Sequence, residues 1–499
     1  MSSVAKKLVG QTAAYGISSI IGRVLNFLLF PLYLGIFAPE DYGIINGLYA
    51  YVGFFNILFT FGLETAFFRY ANQPGTDRQQ LYNRVLTFLI FTSVSLAGII
   101  FIFTAPIARL INFPEQQLFI RWLAIILAVD AIVAIPFARL RLENKAKKFA
   151  TLKMTNILIT VGANLFIYLF CHNIYAGNFL PELKPIIARI YFPEWKLGYI
   201  FLINLLANLL LIPMLWREFS SFRFTWDLLF MQPLLRYGYP IMLMGFAGIV
   251  NELLDRILLI ELLPTGFYPT LNSKGALGVY GGCYKLAMFM TLAIQAFRYA
   301  GEPFFFSQAK EKNSAITFAL VMKWFVIVCA FIFLFVSANL DDFKILLRRP
   351  SYQQGLMVVP ILLLANLFLG IYYNLSAWFK LTDKTYIGTY ISFGGAAITI
   401  ILNVLLIPVL GYMGCAWATL ACYFSMALAC YLLGQKYYPI PYPIGAISGY
   451  LGVAILLVLA ALYVPVTDFI WRHIFHLGIC VAFVLLVLLM EKPRFKTRI

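Results

Sequence analysis

Charged and amide side chains inside long apolar runs are the residues of this chain that could do chemistry. The stretch Leu277–Gln308 is long enough to cross a bilayer, which takes about 20 residues, yet it carries Lys285, Gln295, Arg298 and Glu302. An ionised side chain at mid-bilayer costs about 2.5–3.5 kcal/mol on insertion scales, so such residues normally face a protein interior or a water-filled cavity. Because guanidinium and ammonium groups bind phosphate, this stretch predicts a cavity for an anion.

Two further apolar runs carry similar residues. Arg23 lies near the middle of the first run and has no acidic partner in its own helix. In the seventh run Asn251 and Asp255 share one helix face and Glu252 and Arg256 share another, because each pair is spaced i,i+4. The candidate substrate-binding residues are therefore Arg23, Arg256, Lys285, Gln295 and Arg298.

The acidic residues of these runs have two interpretations, ion coupling or ion pairing inside the protein. Asp130, alone in the fourth run, is either a proton or ion site or an inter-helix hydrogen bonder. Glu252 has the simple alternative of neutralising Arg256. The candidates for ion coupling or cavity ion pairs are Glu64, Asp130, Glu252, Asp255 and Glu302.

Two cations have structural alternatives as well. A structural link from Arg298 to Glu302 or Glu64 would remove Arg298 from the substrate site. Lys323, in the first half of the ninth run, is expected to extend its ammonium group to the inner membrane surface.

Composition narrows the class of protein. The chain is 62% hydrophobic and only 12% charged over 499 residues, which is typical of a polytopic helical membrane protein. The net charge of +17 is not gathered on a polar domain, so nucleic acid is excluded as a partner. No metal-ligand spacing, phosphate-binding Gly-Lys loop or nucleophile–base pattern is present, so we predict no metal, no cofactor and no enzymatic activity.

The apolar runs position these residues on fourteen predicted spans. Inner connections hold 23 Lys and Arg residues and outer ones 10 when the N-terminus is inside, so the positive-inside rule predicts that both termini are cytoplasmic. The spans are predicted at residues 11–37, 43–68, 85–110, 118–140, 151–172, 198–216, 234–263, 276–307, 314–338, 354–379, 386–410, 412–434, 443–465 and 469–490.

The chain also repeats itself. Gly43–Tyr49 matches Gly278–Tyr284 at an offset of 235 residues, which relates spans 1–6 to spans 7–12. Six is even, so the two halves keep the same orientation and we predict two parallel six-helix lobes around a central cavity. The predicted divisions are an N-terminal lobe at 1–216, a cytoplasmic linker at 217–233, a C-terminal lobe at 234–434, and two extra helices with a basic tail at 435–499.

Two strings carry a family resemblance. FPLYLGIFAPEDYGIINGLYAYVGFF in the first half, and YGYPIMLMGFAGIVNELLDRILL followed by LGVYGGCYKLA in the second, resemble the polysaccharide biosynthesis (oligosaccharide flippase) proteins. These belong to the multidrug/oligosaccharidyl-lipid/polysaccharide export superfamily. The resemblance implies a flippase of the bacterial inner membrane with a cationic cavity, alternating access and ion-gradient coupling.

The resemblance also implies a substrate and partners. The substrate would be an undecaprenyl-diphosphate-linked oligosaccharide, the repeat unit of a lipopolysaccharide O-antigen, capsule or exopolysaccharide, moved from the cytoplasmic to the periplasmic leaflet. Membrane lipids, a polysaccharide polymerase and chain-length machinery are the other expected partners of a monomeric chain.

Three alternatives remain open. A flippase for the peptidoglycan lipid precursor shares the fold. A multidrug or cation antiporter of the same superfamily would need an acidic or aromatic cavity, whereas these spans lean basic. A membrane-embedded glycan polymerase or ligase would need a sizeable outer loop, and the longest one here, Cys171–Leu197, has few residues suited to catalysis.

Overall fold

A computed structural model describes residues 21–308, 311, 313–466 and 468–496. In these ranges the regular elements are helices, and the extended structure is a single isolated bridge between Tyr268 and Leu271. The prediction of an all-α membrane protein is confirmed.

The described part of the first half of the chain, from residue 21 onward, forms twelve helices. Short 3₁₀ turns at Pro181–Leu183 and Pro193–Trp195 and a π-helical stretch at Phe166–Cys171 lie among them. The helices are α1 (described from Ile21 to Ile36), α2 (Pro39–Thr60), α3 (Leu63–Ala71), α4 (Arg78–Ile102), α5 (Thr104–Leu110), α6 (Gln117–Leu142), α7 (Ala146–Leu165), α8 (His172–Tyr175), α9 (Lys184–Ile187), α10 (Gly198–Met214), α11 (Trp216–Phe219) and α12 (Leu228–Leu262).

The second half forms eleven more, with a 3₁₀ turn at Lys344–Leu347. They are α13 (Ser273–Leu286), α14 (Met288–Gln308), α15 (Ser314–Ala338), α16 (Leu340–Phe343), α17 (Pro350–Gln353), α18 (Val358–Leu375), α19 (Ala377–Leu381), α20 (Thr385–Leu410), α21 (Tyr412–Tyr437), α22 (Ile444–Tyr463) and α23 (Phe469–Lys496).

Ten helical segments of the described chain are long and apolar enough to cross a membrane, and the bent pair α13–α14 makes an eleventh. Two shorter apolar helices, α1 as described and α10, fall below that length. The 35-residue α12 is longer than any of these but carries several charges. The chain is thus a multi-pass helical membrane protein, and the number fourteen stays a prediction.

The helices pack as two compact units. The first contains the described residues up to Glu261 together with Tyr268–Gly278, and the second contains Leu262–Phe267 and the described residues from Val279 onward. Helix α12 therefore packs with the first unit. The predicted lobes follow the sequence repeat instead, and their boundary stays a prediction.

In the first unit the second predicted span is broken near its end. Phe61 and Gly62 adopt left-handed backbone conformations (φ 53° and 68°), which end α2 and start α3. A Cβ on Gly62 would lie 2.7 Å from the carbonyl oxygen of Gly238 in α12, so the break is also a point where two backbones touch. Glycine suits this position because it has no Cβ penalty at positive φ.

A buried cluster holds α3, α4, α6 and α12 together. Phe67, Tyr82 and Leu234 lie at its centre with at most 1% exposure. The predicted linker at 217–233 also contacts this unit, because Arg223 N donates to Asn83 Oδ1 of α4 (3.2 Å). This packing positions the α12 residues Asn251 to Arg256 within the first unit.

The second unit is built around α21, which packs along both α18 and α20. Its most bulky buried side chain, Trp378, donates its indole N–H to the carbonyl oxygen of Cys430 (3.1 Å). Helix α22 packs on α15 through one narrow stripe, Tyr450, Ala454 and Val458, spaced four residues apart. The rest of α22 exposes apolar side chains, as expected for a lipid-facing helix.

Candidate functional site

Arg298 lies at a cavity inside the second unit. Its guanidinium carbon is 4.1 Å from the centroid of the Tyr373 ring, a cation–π stack between α14 and α18. Ser376 and Lys380 line this cavity beside the two stacked residues. An arginine stacked on an aromatic face keeps its N–H groups available for an oxyanion, which suits phosphate recognition.

Aromatic packing fixes the wall of this cavity. Phe297, one residue before Arg298, packs against Phe325 with ring centroids 4.5 Å apart. Phe305 meets Phe318 edge to face at 5.0 Å. Both contacts join α14 to α15, so the helix that carries Arg298 is held against its neighbour where it lines the cavity.

The eighth predicted span is broken. Ser273–Leu286 and Met288–Tyr299 are bent by 49°. At the break Ala287 N donates to Tyr284 O, a bond to the third residue back instead of the fourth. The predicted span 276–307 is therefore two helices joined by a bend, with Lys285 on α13 and Arg298 on α14.

The other candidates of this span are only partly described. Lys285 on α13 and Gln295 on α14 are both half-buried, and Gln295 precedes Arg298 by about one turn. The Glu302 side chain lies outside the described residues. The assignment of Lys285 and Gln295 to the substrate site, and of Glu302 to ion coupling or a cavity ion pair, stays a prediction.

The candidates on α12 separate by burial as their spacing predicts. Asn251 and Asp255 are 7% and 4% exposed, whereas Glu252 is exposed. Arg256 is half-buried, and its backbone N–H donates to the Asp255 carboxylate (2.8 Å). Arg23 lies exposed on α1. Their roles stay predictions.

Glu64 forms an ion pair with Arg141 of α6, and the Arg141 guanidinium also lies over the Phe68 ring (5.0 Å). The side chains of the pair are 38% and 35% exposed, in the order Glu64 and Arg141. A structural link from Glu64 to Arg298 is therefore not what the structure shows.

Asp130 belongs to a polar cluster inside the first unit. It lies within Coulombic range of Lys153 and of Tyr49. Asn204 donates to the Tyr49 hydroxyl, and Asn208 donates to Asn204 Oδ1 (2.8 Å). Three helices, α2, α7 and α10, thus bring polar groups near the carboxylate of α6, an arrangement that could hold a proton or a small cation.

Lys323 corrects a prediction. It is only 5% exposed and forms a buried ion pair with Glu491 of α23, so the expectation that it extends to the inner surface is wrong. The Tyr450 hydroxyl donates to the other carboxylate oxygen of Glu491 (2.8 Å). The reason is neutralisation: a lysine with a buried carboxylate partner has no need to reach water.

Sequence reasoning missed Tyr373, Ser376 and Lys380 as neighbours of Arg298. Lys380 looked like an ordinary inner-face lysine, and an aromatic residue near a span end looks like an interfacial anchor. No spacing rule links them to Arg298, which lies more than seventy positions away. Across the described residues no group of three His, Cys, Asp or Glu side chains could hold a metal ion.

Comparison with known proteins fits this architecture. Residues 35–179 match the family described as polysaccharide biosynthesis protein. No curated protein matches the chain in sequence.

Solved structures match over nearly the whole chain. The lipid II flippase MurJ in an inward closed conformation matches with a TM-score of 0.70 at 15% identity, covering 96% of this chain and 99% of that one. An inward-facing multidrug resistance MATE family transporter of the MOP superfamily gives 0.64 at 11% identity, covering 86% and 96%. A MATE transporter of Vibrio cholerae, VcmN, gives 0.55 at 14% identity, covering 87% and 97%.

These matches confirm the predicted resemblance and the fold. The chain has the fold shared by MurJ and the MATE transporters of the MOP superfamily. The matched proteins are flippases and transporters.

Proposed function

We propose that this chain, which has the fold of the MOP-superfamily flippases and transporters, moves an undecaprenyl-diphosphate-linked oligosaccharide repeat unit across the bacterial inner membrane. The glycan travels from the cytoplasmic to the periplasmic leaflet by alternating access. The match of residues 35–179 to the polysaccharide biosynthesis proteins supports this substrate class.

The observation that carries the proposal is Arg298. A guanidinium in an apolar span lines a cavity and stacks on an aromatic ring, that of Tyr373. A diphosphate is the part of the lipid-linked substrate that such a group recognises. In this proposal Arg298 holds the diphosphate, and Arg23, Arg256, Lys285 and Gln295 contribute further contacts along the path.

The test is surface glycan in a strain that lacks its own O-antigen flippase. Arg298→Gln removes charge-assisted hydrogen bonds worth about 1.5–3 kcal/mol, so we expect surface glycan to fall about 10- to 100-fold at equal membrane level. Arg109→Gln, an exposed arginine near the end of α5, is the matched control and should export normally. Normal export by Arg298→Gln would overturn the proposal.

Ion coupling is the second part of the proposal, with Asp130 as the coupling carboxylate. Its polar surroundings in the first unit support a group that binds and releases a cation or proton. Asp130→Asn should uncouple export from the ion gradient, so that a protonophore or sodium removal no longer changes the rate in vesicles. An unchanged ion dependence would exclude Asp130.

A second candidate substrate is the peptidoglycan lipid precursor, because the MurJ structure covers almost the whole chain. Both lipids carry a diphosphate, so Arg298 fits either. Complementation of a strain depleted of its lipid II flippase, in parallel with the O-antigen strain, separates the two. A drug antiporter is ranked lower because the described lining of the cavity at Arg298 includes two cations, Arg298 and Lys380, and no carboxylate.

The proposal places both termini in the cytoplasm and expects the polysaccharide polymerase and chain-length machinery nearby. The excess of Lys and Arg on the inner connections supports this orientation. Impermeant thiol labelling of cysteines introduced at Glu182 and at Lys145 checks it: only the first should react in intact spheroplasts.

A further inference from the structure

The beginnings of α2 and α13 cross with their backbones in direct contact. A Cβ on Gly43 would overlap the backbone carbonyl of Lys274, and a Cβ on Gly278 would overlap the backbone carbonyl of Pro39. All four residues belong to the first unit. Only glycine permits an approach this close at either position.

The crossing is reciprocal with respect to the sequence repeat. Gly43 and Gly278 are 235 positions apart, and so are Pro39 and Lys274. Gly43 contacts Lys274, and Gly278 contacts Pro39, so each contact is the repeat-related copy of the other. A local two-fold axis produces reciprocal contacts of this kind.

Polar contacts reinforce the same place. Asn272 Oδ1 accepts from Gly275 N (2.8 Å) and so caps the start of α13, while Asn272 Nδ2 donates to the Glu40 carboxylate at the start of α2 (2.7 Å). Close by, the Lys274 ammonium lies 5.1 Å from the Phe113 ring centroid. Asn112 Nδ2 donates to Glu261 (2.9 Å).

We propose that this reciprocal Gly43–Gly278 crossing is the outer seal of the transport path. It is closed in the described structure and must part each time the substrate is released outward. The inference rests on the proposed transport function and on the predicted orientation, which puts the starts of α2 and α13 at the outer side.

The physical reason is the discreteness of a backbone contact. Flexible side chains can adjust to a partial opening, whereas two helix backbones at glycine either touch or separate, so the contact behaves as a two-state element. Within α13, Gly278 belongs to the first unit and the next residue, Val279, to the second. Separation of the two backbones at Gly278 therefore changes how much of α13 packs with the first unit.

The first experiment locks the crossing. Cysteines replace Glu40 and Asn272, both exposed, and a short bis-methanethiosulfonate reagent joins them. The seven native cysteines are all buried and give little background. We expect crosslinking to abolish export of surface glycan and reductant to restore it, while each single cysteine variant treated identically keeps exporting.

The second experiment opens the crossing. Gly43→Ala and Gly278→Ala each add the Cβ that collides, and Gly98→Ala adds one into open space. We expect the crosslinking yield of the Glu40/Asn272 cysteine pair to fall severalfold in the first two backgrounds and to stay unchanged in the third. This yield needs no substrate, so it tests the contact independently of the proposed function.

The outcomes are separable. If the reduced double-cysteine protein exports glycan and the crosslinked protein exports equally well, the seal is overturned. If no form exports glycan in either complementation strain, the proposed function fails, and the crosslinking yields alone decide whether the crossing exists and depends on glycine. Equal yields in the Gly43→Ala, Gly278→Ala and Gly98→Ala backgrounds overturn the seal.

Discussion

Two cationic side chains of the second unit have different kinds of partner. Lys323 is 5% exposed and paired with Glu491, which also accepts a hydrogen bond from Tyr450. Arg298 is half-buried and stacks on Tyr373 at the edge of a cavity. The first cation is neutralised by a buried carboxylate, and the second is stabilised by an aromatic face.

The difference separates structural from functional charge in an apolar helix. A buried ion pair recovers its desolvation cost only with good geometry and further hydrogen bonds, which Lys323 has. A cation held by an aromatic face retains its charge for a ligand. If Arg298 binds the substrate as proposed, the partner of a cation, and not its presence in the helix, distinguishes a substrate-binding residue from a structural one.

The largest expected effect is at the buried pair. Glu491→Gln keeps the acceptor for Tyr450 but leaves the Lys323 ammonium without a counter-charge, so we expect a loss of about 3–5 kcal/mol in stability. Thermal unfolding followed by fluorescence-detected size exclusion measures it. The double variant Lys323→Met with Glu491→Gln should recover most of the loss, and a double variant as unstable as the single one would contradict neutralisation.

The stacked cation should respond in transport more than in stability. Tyr373→Leu removes a cation–π contact worth about 0.5–2 kcal/mol, so we expect export to fall about 2- to 30-fold while the unfolding temperature changes little. Tyr373→Phe keeps an aromatic face and is the matched control. A strongly destabilised but normally exporting Tyr373→Leu protein would make Arg298 a structural residue.

The Glu64–Arg141 pair is intermediate, because its side chains are about one-third exposed. Solvent screening limits such a pair to about 1 kcal/mol or less. Glu64→Gln should lower the unfolding temperature slightly, and Glu64→Gln with Arg141→Gln should be no worse than the single variant. A loss of stability as large as that of Glu491→Gln would show that the exposure of an ion pair does not determine its contribution to stability.

The smallest effect is expected at the exposed outer pair of Asp341 and Arg472 (3.1 Å). A hydrogen bond from Lys344 holds the pKa of Asp341 below its usual 3.8. The ionised carboxylate therefore makes its full contribution to folding stability above pH 3.8, the usual pKa. That contribution is lost only as the pH falls through the lowered pKa. Arg472→Gln should change stability by less than about 1 kcal/mol, and stability measured from about pH 8 to 5 should show no step from this pair.

The fold was largely predictable from sequence, because apolar runs separated by charged connections determine membrane helices directly. The sequence repeat was informative as well, since Gly43 and Gly278 meet in the structure. The break after Leu286 was not predictable, because the run from Leu277 to Gln308 stays apolar across it.

Partners of charged residues were the least predictable feature. Within one helix the spacing i,i+4 correctly separated buried Asp255 from exposed Glu252. Between helices no such rule exists, so the pairs of Lys323 with Glu491 and of Glu64 with Arg141 depend on packing that only the structure shows.

The wide separation of Lys323 and Glu491 along the chain has a consequence for biogenesis. The two residues lie 168 positions apart, so at about 5–20 residues per second the ribosome makes the lysine roughly 10–30 s before its partner. During that interval the ammonium group must stay hydrated or borrow another acceptor. Because Glu491 lies on α23, we expect the buried pair to form only after α23 docks against α15.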